Sequence, residues 1–324
     1  MITLTKEYIN DFIKPNFYLL QNVLTFMLPS RKNQFDFYID RMAIAKKKLS
    51  LGSAVEDVHR LVEWESLHLE CIFLTCLLSE EMGTYFQAMA IHQKGDIIKT
   101  VLSTESYQYA HDFYQLSKRR SRDFFSRLMI YPFTPEMRAV FNLPDDQELI
   151  SLINRVISAS CGYLWHKKEK VRHFREKYKD AYNSYKHGMS ILYNMKSNLE
   201  VHLKDGSKLA GGSNAPLVLK IKINRQRSIT QEQWMQLVDF QTIEEDTIKT
   251  FDAIYSLSHE IVSLRIAFLV DLLECYKYDS SSQSYVPYKN IKSSMRIFNV
   301  SKLSQEDIKA LQKKFGMTLQ ESEH

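Results

Sequence analysis

From Ser53 to Met82 the chain contains neither glycine nor proline. Ser53 and Glu56 have the spacing of a capping box, in which the serine oxygen accepts from the N3 amide and the glutamate reaches back to the N-cap amide. Gly83 is suited to the C′ position, where a left-handed conformation is needed and a Cβ would clash. The spacing predicts a helix from Ser53 to Met82, ~44 Å long at 1.5 Å per residue. A rod of that length buries its apolar stripe only against other long helices. The chain is therefore expected to be all-α, a bundle of long helices.

The rest of the chain supplies candidate partners. Helices are predicted from Thr5 to about Met27 before Pro29, over Phe35–Leu49, over residues 84–94 and from Thr104 to Ile130 before Pro132. Thr134-Pro135-Glu136 reads as an N-cap followed by proline at N1. Asp145 or Asp146 opens a stretch reaching about Lys196, with a break near Gly162 or near Glu176–Asp180 as an alternative. Thr230 and Gln233 form a second capping box, ahead of helix to about Tyr278, and Ser304 caps a last helix near 305–315. Glycine, at 9 of 324 residues, and proline, at 7, fall well below the usual ~7% and ~5%. That scarcity excludes collagen-like, linker-like and many-turned β-sandwich chains.

Residues 201–224 are the exception. Asp205-Gly206, Gly211-Gly212 and Asn214 are turn signals, and Leu217–Ile223 alternates apolar and polar side chains. A short β-hairpin inserted between helices is expected there, or a linker. The chain reads as a single domain over 1–324, with subdivision into 1–199, 200–229 and 230–324 as the alternative.

The four cysteines fit no zinc or redox spacing and are expected to be reduced and buried. Residues 1–14 carry charges and no apolar signal region. The most apolar runs, Phe17–Leu28 and Ile266–Leu273, fall short of the ~20 residues that span a bilayer. A cytoplasmic protein without a membrane partner is expected. Net charge is +5. From His166 to Gly188, eight Lys/Arg against three acids give a local balance of +5, equal to the whole chain's excess. Lys118, Arg119, Arg120, Arg122 and Arg127 form a second cluster and Lys46–Lys48 a third. Such faces suit either solvent or a polyanion.

Phosphate-loop, nucleophile-elbow and HExxH motifs are absent. Two Glu-x-x-His pairs, Glu56/His59 and Glu65/His68, lie nine residues apart on one predicted helix and face opposite ways at ~100° per residue. No metal site is expected from them, and no cofactor is expected.

The informative stretch runs from Tyr178 to Gly188. Val171, Phe174, Tyr178, Ala181, Tyr185, Met189 and Leu192 form a core-facing stripe. Glu176, Asp180, Asn183 and His187 fall on a second stripe, where Asn183 and His187 are i, i+4 neighbours. Lys186 is i+4 from Tyr182, the one tyrosine of the stretch expected to be free for base stacking. The pattern Asn183-x-x-Lys186-His187-Gly188 resembles the signature of the HEPN superfamily, helical bundles that carry Arg-x4–6-His or Asn-x-x-Lys-His-Gly motifs. Tyr182 stands where the arginine of the former motif would be.

That resemblance implies metal-independent RNA cleavage, or RNA binding in inactive members, commonly at a homodimer face. His187 would take the 2′-OH proton as general base. Asn183 would orient it or the phosphate, and Lys186 would stabilise the developing charge. Arg172 and Arg175 would hold the RNA backbone, with Tyr182 as a further RNA-binding residue. The alternatives are a helical interaction or scaffold protein without a catalytic site, and a nucleotide-binding module. A third reading of the motif is a helix terminus stopped by Gly188.

Overall fold

The structure is a computed structural model and describes residues 3–49, 54–91, 97, 101, 106–131, 135, 138, 145–186, 191–192, 201–202, 208–210, 217–219, 222–223, 229–230, 234–236, 240–289 and 302–315. The protein is all-α with small antiparallel β insertions. Strand β1 (Leu4–Thr5) leads through a π-helical stretch, Tyr8–Ile13, into α1 (Lys14–Asn22). A second π-helical stretch, Val23–Met27, leads into α2 (Leu28–Leu49). Then follow α3 (Ala54–Ile91), α4 (Ser106–Tyr114), α5 (Lys118–Leu128), α6 (Gln147–Lys186), α7 (Phe240–Cys275) and α8 (Gln305–Phe315). Two expected caps are present. The Asp146 carboxylate accepts from the Glu148 amide at 2.9 Å at the start of α6, and Ser304 Oγ accepts from the Asp307 amide at 3.0 Å at the start of α8.

Helix continues through several residues expected to end it. Pro29 lies inside α2, and Pro15, within a helix expected to pass through it, lies inside α1, each just after a π-helical stretch. A π turn bonds i to i+5, so the carbonyl that a proline ring would strike is already displaced. Gly83 does not end α3, which runs on to Ile91. Glycine is needed there for close approach: a Cβ would lie 2.8 Å from the Tyr114 ring. Gly162 sits in unbroken α6 with nothing within 4 Å of a Cβ. Opposite outcomes are expected from the same substitution. Gly162→Ala should stabilise by about 0.5–1 kcal/mol through helix propensity, whereas Gly83→Ala should destabilise by about 1–2 kcal/mol through overpacking. Thermal melts of the two variants check the signs.

Other boundaries differ from expectation. The helix predicted over Thr104–Ile130 is two helices, parted at Gln115–Ser117, where Ser117 is extended. Helix α5 ends in a Schellman motif: the Tyr131 amide donates to Ser126 O at 2.9 Å and the Ile130 amide to Arg127 O at 3.2 Å. Ile130 holds the C′ position at φ 56°, which costs a β-branched residue about 1–2 kcal/mol. Burial of its side chain among Ile9, Ile13 and Leu272 offsets that strain. Ser53 and most of Thr134–Glu136 lie outside the described residues.

The β region is wider than expected. Strands β2 (Ile191–Leu192), β5 (Leu217–Leu219) and β8 (Trp234–Gln236) form an antiparallel sheet in the order β2-β5-β8. Two-stranded pairs join β3 (Val201–His202) to β4 (Lys208–Ala210) and β6 (Lys222–Ile223) to β7 (Ile229–Thr230). Thr230 thus ends a strand and does not cap a helix. Past Cys275, expected to stay helical to Tyr278, the chain forms a hairpin of β9 (Tyr276–Asp279) and β10 (Ser284–Pro287), with β1 on its edge. Its turn is fixed by the Asp279 carboxylate, which accepts from the Ser281 amide and from the Ser281 and Ser282 hydroxyls. These bonds hold the Asp279 carboxyl below the ordinary carboxylate range.

Contacts divide the chain into two compact units. One comprises Met1–Pro29, Glu80–Lys170 and Tyr255–His324, the other Ser30–Ser79 and Val171–Ile254. In the first, Ile9, Ile13, Ile130, Leu272, Cys275 and Tyr276 form a core cluster. Two cations, Lys168 buried and Arg265 half-buried, tie helix ends there. Lys168 of α6, 1% exposed, donates to Tyr114 O at 3.0 Å and Leu116 O at 3.1 Å, beyond the end of α4. Arg265 of α7 donates from Nη2 to Met89 O at 2.6 Å and Arg127 O at 3.2 Å, in the last turns of α3 and α5. Positive charge suits these carbonyls, which carry the negative ends of the helix dipoles. In the second unit, Leu69, Ile72, Phe73, Cys76, Phe174, Tyr178 and Tyr182 pack together, and Phe35 stacks on Phe251.

All four cysteines are buried and unbridged, and burial pushes the Cys161 thiol up to about 11. One described helix, Glu245–Cys275, is long and apolar enough to cross a membrane, with mean hydropathy 1.4 and 28% of that window buried. Core helices of soluble proteins pass the same test. The sequence reading stopped at Ile266–Leu273 and did not see this length.

Candidate functional site

The motif stretch occupies the last turns of α6. Val171, Phe174 and Tyr178 face the core as expected. The core row continues to Tyr182, which is 7% exposed and packs 6.4 Å from the Phe73 ring. This corrects the expectation that Tyr182 is free to stack on a base: the 3-4-4 spacing from Val171 puts it on the apolar side of the helix. Helix α6 is described to Lys186, and Ile191–Leu192 is a strand, so the apolar stripe does not run helically through Leu192. His187 and Gly188 lie outside the described residues.

One flank of the helix, about 115° round from the core row, is polar. Arg172, Glu176, Lys179, Asn183 and Lys186 recur at spacings of four, three, four and three, one row along the helix. Arg172 Nη1 pairs with the Glu176 carboxylate at 2.9 Å. Asn183 is half-buried, Lys179 exposed and Arg175 half-buried beside the row. Sequence reasoning named Arg172, Arg175, Asn183 and Lys186 and passed over Lys179, although the same spacing selects it. Lys168, counted among the basic run, belongs to the core and is no part of this face. It pairs with Glu169 at 2.8 Å and lies 4.2 Å over the Trp165 ring.

A second cationic surface lies in the other unit. An open groove of about 920 Å³ is lined by Ser151, Asn154, Arg155 and Ser158 of α6, Arg122 of α5, and Lys302. Arg122 Nη2 donates to Asn154 Oδ1 at 2.7 Å. Arg155 is held by Asp307 through Nε at 3.2 Å and Nη2 at 2.5 Å. The guanidinium keeps the Asp307 carboxyl below its ordinary range. Arg122, foreseen as part of a basic cluster, is thus joined by Arg155 and Lys302, which no short sequence pattern links.

Among the described residues, no three of His, Cys, Asp and Glu are grouped to hold a metal ion. His68 is buried, with its ring edge-on to Trp64 at 5.9 Å. What the described arrangement offers chemically is a row of cations and one amide on a rigid helix, suited to phosphate oxygens. No family model, curated protein or solved structure matches the chain.

Proposed function

We propose that this protein is directed at RNA and holds the sugar–phosphate backbone along the polar face of the last turns of α6. The observation that carries the reading is the row Arg172, Lys179, Asn183 and Lys186, which helix spacing sets about 115° round from the core row, with His187 next in the sequence. The roles follow from the HEPN resemblance. His187 accepts the 2′-OH proton, Asn183 orients the base or the phosphate, and Lys186 meets the charge that builds on phosphorus oxygens. Arg172 and Arg175 contribute backbone contacts without base preference. Homodimerisation and a cytoplasmic setting belong to the same proposal.

The arginine of the Arg-x4–6-His motif has no counterpart here, because Tyr182 is neutral and sits in the core. A lysine offers a point charge without the bidentate fork. Loss of one such contact costs ~10²–10³ in rate. Binding is therefore the principal activity, and cleavage is slow. Mixed RNA incubated with the protein in EDTA should be retarded in gels at low salt. Single-stranded contacts contribute a slope of about −0.7 each in log K against log salt, so Arg172→Ala with Arg175→Ala should flatten it by about 1.4. His187→Ala should keep binding and abolish scission. No retardation by the wild type at 50 mM salt would remove RNA from consideration and leave the scaffold reading.

A further inference from the structure

Outside both cationic surfaces, within the unit containing Met1–Pro29, a largely enclosed cavity of about 50 Å³ lies against Arg265. Its walls are mostly apolar, with Phe12, Leu20, Phe268 and Leu269 among them. Two donors on that lining are incompletely satisfied, and the acceptor Asn16 Oδ1 beside them is buried without a hydrogen bond. Arg265 Nε is sealed from solvent and has no hydrogen-bond partner, although Nη2 serves the Met89 and Arg127 carbonyls. The Tyr8 hydroxyl has no hydrogen-bond partner among the described residues.

No carboxylate pairs with Arg265 among the described residues. Half-burying a cation with no counter-ion among the described residues is costly, and burial pulls the Arg265 guanidinium down to about 10. It is still charged at neutral pH. Tyr8 begins the π-helical stretch Tyr8–Ile13, a feature common at binding sites. One water needs roughly 10–15 Å³ on the same measure, so the space admits a few waters or one small organic anion.

We propose that this cavity is a binding site for a short-chain aliphatic carboxylate, of the size of acetate to butyrate. The carboxylate accepts from Arg265 Nε and Tyr8 Oη, and the alkyl chain lies against Leu20, Phe268 and Leu269. The ligand supplies the counter-charge that the described residues do not, and the apolar walls select against inorganic anions. The proposal is independent of the RNA reading.

The test is a thermal melt of the full chain in sodium butyrate against sodium chloride at equal ionic strength, with butyramide as the uncharged control. At a butyrate concentration about tenfold above Kd the midpoint should rise by about 2 °C. Butyramide and octanoate should leave it unmoved. Tyr8→Phe removes one donor and should weaken butyrate about tenfold, as read by calorimetric titration. Leu269→Phe fills the space and should abolish the response without touching either polar group. An equal response to butyramide, or a butyrate response that survives in both variants, would overturn the proposal. So would no response in the wild type, the result expected if a carboxylate of the chain itself already occupies Arg265.

Discussion

Replacing Lys168 with methionine should destabilise the protein by about 3–5 kcal/mol, the range for breaking a buried ion pair by removing one partner. Methionine preserves the length and most of the volume of the side chain, so packing changes little. What is lost is the donor. Nζ, 1% exposed, serves Tyr114 O, Leu116 O and the Glu169 carboxylate at 3.0, 3.1 and 2.8 Å. Each acceptor left buried and unmet costs about 1–3 kcal/mol. The break between α4 and α5 depends on the same atom, since Tyr114 is the last residue of α4 and Leu116 lies in the turn that follows. In urea, the midpoint should fall at constant m. Lys168→Gln, which keeps a donor and removes the charge, should lie between the two. A methionine variant within about 1 kcal/mol of the wild type would show that water reaches these carbonyls.

Phe251→Ala should have a similar cost, about 3–5 kcal/mol. Phe251 is 0% exposed, and its ring lies parallel to Phe35 at 3.8 Å with an 8° tilt. Truncation removes a large apolar surface from a site where α2 and α7 meet. Lys32 would lose a partner as well. Its Nζ is 6.0 Å from the Phe251 centroid and pairs with Asp36 at 2.6 Å and Asp252 at 3.7 Å. Phe251→Leu retains much of the burial and should cost about 1–1.5 kcal/mol. A double-mutant cycle with Phe35→Leu should return a coupling of about 0.5–1.5 kcal/mol. Additive single effects would mean that the rings act only as area and not as a pair.

Local signals were legible where local bonds decide the outcome. Ser304 and Asp146 cap the helices they were expected to cap, because a cap is a contact within four residues. The apolar stripe Val171, Phe174, Tyr178 was legible for the same reason. Glycine and proline were misread where a distant element or an altered turn overrules propensity. Gly83 is set by the approach of Tyr114, and Pro29 by the π turn before it. The hairpin at Tyr276–Pro287 was hidden because Tyr-Lys-Tyr-Asp is too short to separate a strand from the end of an apolar helix.

The candidate site was legible in its cations and not in its partition. Charge counting placed Lys168 with Arg172 and Arg175, although one turn of helix separates core from surface. Tyr182 was misplaced by one position in the same stripe: a 3-4-4 run and a 3-4-3 run diverge only at the final residue. Arg265 gave no signal at all, since a lone arginine in an apolar run announces neither the carbonyls it reaches nor the cavity beside it.

The two π-helical stretches have a consequence for how this chain can vary. Each holds one residue more than the α turn it replaces. Added residues rotate everything upstream by about 100°. Ile9, Ile13, Asn16, Leu20 and Val23 keep an ordinary 4-3-4-3 spacing, and the next buried position, Leu28, comes five residues on, across Val23–Met27, so the surplus residue of that stretch sets the phase between this side and α2. The first thirty positions are thus more tolerant of a changed letter than of a changed length: losing one residue from Val23–Met27 would swing Leu20 outward while every amino acid upstream stayed the same.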